Sequence, residues 1–216
     1  MADVKFCGLT RAEDARLGAS VGAAYLGAIF AGGPRQRNAA EARALFDAAA
    51  PGGNARRVGV FGTQAVPDIA AIAREAGLDV VQLHAGADAE LVRELRRHFG
   101  GEVWRVLRVR GRARAAELRT AAAGVDALVV DSLTEGALGG TGVPLDWEAL
   151  AEALDRAGRP ARLVLAGGLR PDNVGRAIAV VSPDVVDVSS GVESAPGLKD
   201  HEMMRAFAVA AARGGQ

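Results

Sequence analysis

Val4-Lys5-Phe6-Cys7-Gly8-Leu9-Thr10 is a short apolar run that closes on a cysteine and a glycine. Thr10-Arg11-Ala12-Glu13 follows with capping-box spacing, in which a threonine and a glutamate three residues apart satisfy free N–H groups at a helix start. The segment reads as a strand handing over to a helix, and the same unit recurs to the end of the chain. Strand candidates are Val4–Cys7, Ala24–Phe30, Arg57–Phe61, Val80–His84, Val103–Val109, Ala127–Asp131, Arg162–Ala166 and Val185–Ser189. Alanine-rich helical segments lie near 11–21, 39–49, 67–76, 88–98, 113–123, 146–157, 172–181 and 199–212. Strict alternation of this kind implies a parallel sheet with helical crossovers. Eight units in 216 residues make an economical (βα)8 TIM barrel: an α/β fold of eight parallel strands, in a single domain over residues 1–216. The competing architecture is a doubly wound open sheet. That fold usually carries a glycine fingerprint after its first strand, and Cys7-Gly8-Leu9-Thr10 is not one.

Half of the residues are hydrophobic, enough for a sizeable core, and 26 acidic residues balance 26 basic ones. Zero net charge argues against a general nucleic-acid binder or a binder of anionic membranes. Only Lys5 and Lys199 among the basic residues are lysine. A single cysteine excludes an internal disulfide and a cysteine-cluster metal site, and clustered histidines are lacking too, so no metal is expected. No signal peptide or membrane-spanning run is visible, which makes a soluble cytoplasmic protein the expectation. Monomer and homodimer both stay open.

In a parallel barrel, ligands bind where strands end, and Cys7 sits at such an end. If its side chain points inward, Lys5 points inward one layer below. A buried lysine under a thiol favours the thiolate. The last strand neighbours the first in a closed barrel, however, and Asp187 lies at matching depth, so Lys5 and Asp187 are expected to pair. Asp131 ends the sixth strand, where it either caps the following loop or, at the rim of an apolar barrel that would raise its pKa, serves as a general acid. Asp126, at the start of that strand, belongs to the opposite, stability face. Leu165-Ala166-Gly167-Gly168-Leu169 and Asp187-Val188-Ser189-Ser190-Gly191 end two strands in small residues. Backbone N–H groups in such turns cradle anions, and phosphate binding after strands seven and eight recurs in barrels. Gln82 and His84 share one face of the fourth strand. Arg35 and Arg37 lie in the loop after the second, where either is placed to grip a carboxylate. Ala31–Asn38 and Ser132–Leu145 are the longest irregular segments, and Gly139-Gly140-Thr141-Gly142 makes the second a candidate lid. Asp146 reads as a helix cap.

Taken together, Lys5-Phe6-Cys7-Gly8-Leu9-Thr10, Pro34-Arg35, Gly59-Val60-Phe61, Gln82-Leu83-His84, Asp131, Gly139-Gly140-Thr141-Gly142 with Asp146-Trp147, Leu165-Ala166-Gly167-Gly168-Leu169 and Asp187-Val188-Ser189-Ser190-Gly191-Val192-Glu193 with Lys199-Asp200 resemble the phosphoribosylanthranilate isomerase family, end to end. The resemblance implies a cofactor-free Amadori rearrangement in tryptophan biosynthesis. The phosphosugar N-(5-phosphoribosyl)anthranilate would become 1-(2-carboxyphenylamino)-1-deoxyribulose 5-phosphate. It also implies Cys7 as general base, Asp131 as general acid, Arg35 at the anthranilate carboxylate, and Gly167, Gly168, Ser189, Ser190 and Gly191 at the phosphate. The chain departs from the family pattern at Gly33 before Pro34-Arg35, at Arg37, at Gly62-Thr63 and at Ala85. A related barrel isomerase acting on a histidine-pathway aminoaldose, alone or with dual specificity, would be expected to carry an aspartate where Cys7 stands. A non-catalytic phosphate-binding barrel would have no need of both Cys7 and Asp131.

Overall fold

Runs such as Val80–Leu83 and Val185–Val188 are buried throughout and apolar apart from one lumen-facing polar residue each, Gln82 and Asp187. A parallel barrel strand has the lumen on one side and a helix layer on the other, so both faces need apolar residues. In the computed structural model, which describes residues 1–84, 88–132 and 145–214, eight such strands close a barrel. They are β1 (Asp3–Phe6), β2 (Tyr25–Ile29), β3 (Arg56–Phe61), β4 (Val80–Leu83), β5 (Glu102–Val109), β6 (Ala127–Ser132), β7 (Arg162–Leu165) and β8 (Val185–Val188). All neighbours are parallel, and β8 returns to β1 with Asp187 opposite Lys5.

The helices alternate with them: α1 (Ala12–Ser20), α2 (Ala39–Ala49), α3 (Val66–Ala76), α4 (Ala89–His98), α5 (Ala115–Ala122), α6 (Trp147–Ala157), α7 (Val174–Val181) and α8 (His201–Arg213). Most expected boundaries shift by only a residue or two. After β8 comes an unexpected hairpin, β9 (Glu193–Ala195) and β10 (Leu198–Lys199), so Lys199 stands in a strand rather than at a helix start. The capping box at Thr10 is also overruled. Arg11 occupies the N-cap of α1 with no side-chain cap, because the Thr10 hydroxyl donates instead to the Gly197 carbonyl in the hairpin turn. Asp146 does cap α6, accepting from the Ala149 N–H at 2.9 Å. The candidate lid at 139–142 lies outside the described residues.

The core has two parts. One fills the space between strands and helices, and the other fills the lumen with Val58, Val80, Val129, Val164 and Val185 together with Tyr25 and Trp104. Tyr25 and Trp104 meet edge to face at 4.9 Å, and the Trp104 indole N–H donates to Glu102 at 2.8 Å. Arg56 and Arg162 lie over the Tyr25 ring and pair with Glu102. These groups cover that end of the lumen, and a cavity lies where the strands finish. Among the described residues, no helix is long and apolar enough to cross a membrane.

Candidate active site

Strand alternation turns Lys5 and Cys7 to the lumen, and register sets Asp187 beside them. The Lys5 Nζ lies 2.8 Å from Asp187 Oδ2, with the lysine side chain fully buried. Burial works against the Lys5 ammonium, but Asp187 and Cys7 outweigh it and raise its pKa. The expected pair therefore exists as an ion pair. Room for it comes from Gly27 on β2, where a Cβ would stand 3.2 Å from the Cys7 Sγ and 3.5 Å from the Lys5 Cε.

Burial pushes the Cys7 pKa up, and Asp187 adds to that. Lys5 and Lys199 pull it down, and the balance stays above the ordinary thiol value. Lys5 does not by itself create a resting thiolate, because burial outweighs its pull and its charge is shared with Asp187. Asp131 behaves as its rim position suggests. Burial first, then the Asp187 charge, raise its carboxyl to about 6, against the pull of Arg108 and Lys5.

Cys7 and Asp131 line one cavity of about 580 Å³ at the open end of the barrel, within the usual range of small-ligand sites. Gly167, Gly168, Ser189, Ser190 and Gly191 line it too, as do Gln82, His84 and Asp187. Lys5 does not; it lies beneath the floor. Among the described residues, three buried polar atoms on the wall have no partner: Gln82 Oε1, His84 Nδ1 and Asp187 Oδ1. Each such atom costs about 1–3 kcal/mol when unpaired, so a polar ligand is well received there.

The two glycine-lined turns are fixed by contact as well as conformation. Gly167 has φ +87°, and a Cβ there would lie 2.2 Å from Ser132 Oγ and 2.6 Å from Asp131 Oδ1. A Cβ on Gly191 would lie 1.8 Å from the Leu169 carbonyl oxygen. One turn thus rests against the carboxyl wall and the other against its neighbour. Asn173 ties the first together, accepting from the Arg170 N–H at 2.8 Å and donating to the Gly168 carbonyl at 3.0 Å. Residues 190–192 form a single tight helical turn before the hairpin.

Three participants went unassigned in the sequence reading. Arg108 lines the cavity and donates through Nη2 to His84 Nε2. A guanidinium only donates, so Nε2 carries the lone pair and Nδ1 the proton. Burial, then the Arg108 charge, hold the His84 pKa below its ordinary value and the ring neutral. The signal was present, since Trp104, Val106 and Arg108 alternate along β5 and share the lumen face. Glu193 and Lys199 are the other two. Arg35, expected at a substrate carboxylate, is outside the cavity wall and forks onto Glu193. Arg37 lies farther away, in a groove with Thr10, Ala12 and Glu41.

A buried thiol and a carboxyl raised toward neutrality face one cavity at the C-terminal rim of a closed parallel barrel, and the proteins this (βα)8 barrel is similar to are isomerases. The family described as N-(5'phosphoribosyl)anthranilate (PRA) isomerase matches residues 4–210. An N-(5'-phosphoribosyl)anthranilate isomerase of Acidithiobacillus ferrooxidans is 41% identical, with 99% of this chain and 98% of the relative covered. The phosphoribosyl anthranilate isomerase structure from Thermotoga maritima superposes with a TM-score of 0.84 at 34% identity, covering 98% of this chain and 99% of that one. A solved phosphoribosyl anthranilate isomerase in complex with reduced 1-(o-carboxyphenylamino)-1-deoxyribulose 5-phosphate has a TM-score of 0.81 at 32% identity, covering 98% and 99%. The chain belongs to the N-(5'-phosphoribosyl)anthranilate isomerase family.

Proposed function

We propose that this barrel converts N-(5'-phosphoribosyl)anthranilate to 1-(o-carboxyphenylamino)-1-deoxyribulose 5-phosphate, with Asp131 as general acid and Cys7 as general base. The observation that carries the reading is the placement of these two groups on one cavity, on either side of the turns after β7 and β8. A phosphate held by Gly167, Gly168 and the Ser189–Gly191 turn leaves the sugar stretched between acid and base. The solved complex of a relative with the reduced product supports the choice of ligand. Protonated Asp131 gives its proton to the furanose ring oxygen as the C1–O bond breaks, leaving a C1 iminium. The Cys7 thiolate then takes the C2 proton. The enolamine that forms tautomerises to the ketone. The unpaired atoms of Asp187, His84 and Gln82 face the hydroxyls that ring opening frees.

The resting charges are the reverse of the reactive ones. At neutral pH Cys7 holds its proton and Asp131 has lost most of its own. The reactive form is the isomer of that state with one proton moved from sulfur to carboxyl. Its population is constant between the two pKa values and falls outside them. The kcat/KM profile is therefore a bell with an acidic limb near 6 set by Asp131 and an alkaline limb above the ordinary thiol range. Purified protein added to freshly made N-(5'-phosphoribosyl)anthranilate should quench its fluorescence at a rate proportional to enzyme. Turnover of the corresponding histidine-pathway aminoaldose instead would reverse the choice of substrate.

A further inference from the structure

Glu193 has a buried carboxylate that meets two cations. Its Oε1 accepts from Arg35 Nε at 2.9 Å and from Lys199 Nζ at 2.8 Å, while Oε2 accepts from the Arg35 fork. The side chains of Glu193 and Lys199 are 4% and 0% exposed. Lys199 donates again, to the Ser189 carbonyl at 3.0 Å, inside the turn assigned to phosphate. Arg35 uses Nε and Nη2 on Glu193, so its Nη1 has no partner among the described residues. The Arg35 stem also covers Gly8, where a Cβ would lie 2.7 Å from Arg35 Cδ and 3.0 Å from Ser189 Oγ. One carboxylate therefore fixes the loop after β2 and the turn after β8 at once.

We infer that Glu193 is a positioning residue that couples the two anion grips of the site, orienting Arg35 for the substrate carboxylate while holding Lys199 under the phosphate turn. The inference rests on the substrate reading above. Two cations side by side repel, and a guanidinium without a fork partner samples many rotamers. Glu193 removes both difficulties and leaves the cluster with one net positive charge, suited to anionic ligands. It touches neither reacting carbon, so its effect falls on binding rather than on proton transfer.

The test measures binding of two separate probes, inorganic phosphate and anthranilate, by calorimetry, with KM and kcat for the full substrate alongside. Glu193→Gln should weaken both probes about tenfold and raise KM, with kcat nearly unchanged. Arg35→Ala should weaken anthranilate alone. Glu193→Asp keeps the charge but falls one methylene short, and should weaken both probes to a smaller degree. If Glu193→Gln does not fold, Glu193→Asp carries the test. Weakening of one probe only, of neither, or a fall in kcat at unchanged KM overturns the coupling. A wild-type protein that binds both probes but does not turn over the full substrate would instead contradict the substrate reading.

Discussion

Where the strands begin, Asp79, Asp126 and Asp184 each precede an even-numbered strand and take a backbone N–H from the odd strand before it. They accept from Arg57, Val103 and Leu163 at 2.8, 2.7 and 2.7 Å. Arg56, Arg162, Glu102, Tyr25 and Trp104 close the same end with their polar groups engaged. Where the strands finish, Gln82, His84 and Asp187 bury atoms with no partner among the described residues, and Asp131 and Cys7 hold protons beyond their ordinary ranges. One end satisfies every named charge with protein. The other leaves charge and hydrogen-bonding capacity for a ligand. The same scaffold thus separates stability from chemistry along the strand axis.

Substitutions at the two ends should behave in opposite ways. The largest effect is expected from Asp131→Asn, which keeps the shape but removes the proton donor. Turnover should fall roughly 10²–10⁴-fold, read by the fluorescence assay. Wild-type turnover would erase the contrast. The same variant should stabilise the fold. Asp131 holds its proton to about pH 6 in the folded chain, above the value of an unfolded aspartate. Folding therefore takes up protons between those values, and the cost of ionised Asp131 is fully present above about pH 6. Asp131→Asn should thus gain about 1–3 kcal/mol in denaturant unfolding at pH 8 and little at pH 4. Asp126→Ala should do the reverse, losing about 1–2 kcal/mol while turnover stays unchanged, because its carboxylate serves the Val103 N–H and Arg96. The smallest effect belongs to Arg108→Met. Arg108 holds the Asp131 pKa down, so its loss should move the acidic limb of the kcat/KM profile to higher pH. A limb that stays put or moves down would remove Asp131 from that limb.

Much of this division was legible in the sequence, for physical reasons. Runs such as Leu128-Val129-Val130 are buried on both faces, so their composition alone marks them as parallel strands. Cys7, Asp131 and the two glycine turns stand at strand ends, and alternation fixed their side. The matched depth of Lys5 and Asp187 followed from barrel closure. The hairpin at 193–199 was not legible, because two strands this short, joined by Pro196-Gly197, carry no period. Its absence from the reading also hid the partner of Arg35, a carboxylate 158 positions away. The same hairpin draws the Thr10 hydroxyl away from its helix. The charge state of Cys7 was equally out of reach, being a sum over burial, Lys5, Asp187 and Lys199 that only three-dimensional placement supplies.

The central claim is that Cys7 is a base rather than a buried filler of the lumen. Cys7→Ser keeps nearly the same volume but has a hydroxyl that stays protonated, so turnover and ligand affinity separate the two roles. Measured together on that variant, turnover of N-(5'-phosphoribosyl)anthranilate should fall roughly 10²–10⁴-fold while affinity for the reduced product stays close to wild type. Near-normal turnover, or a loss of affinity matching the loss of turnover, would contradict the account.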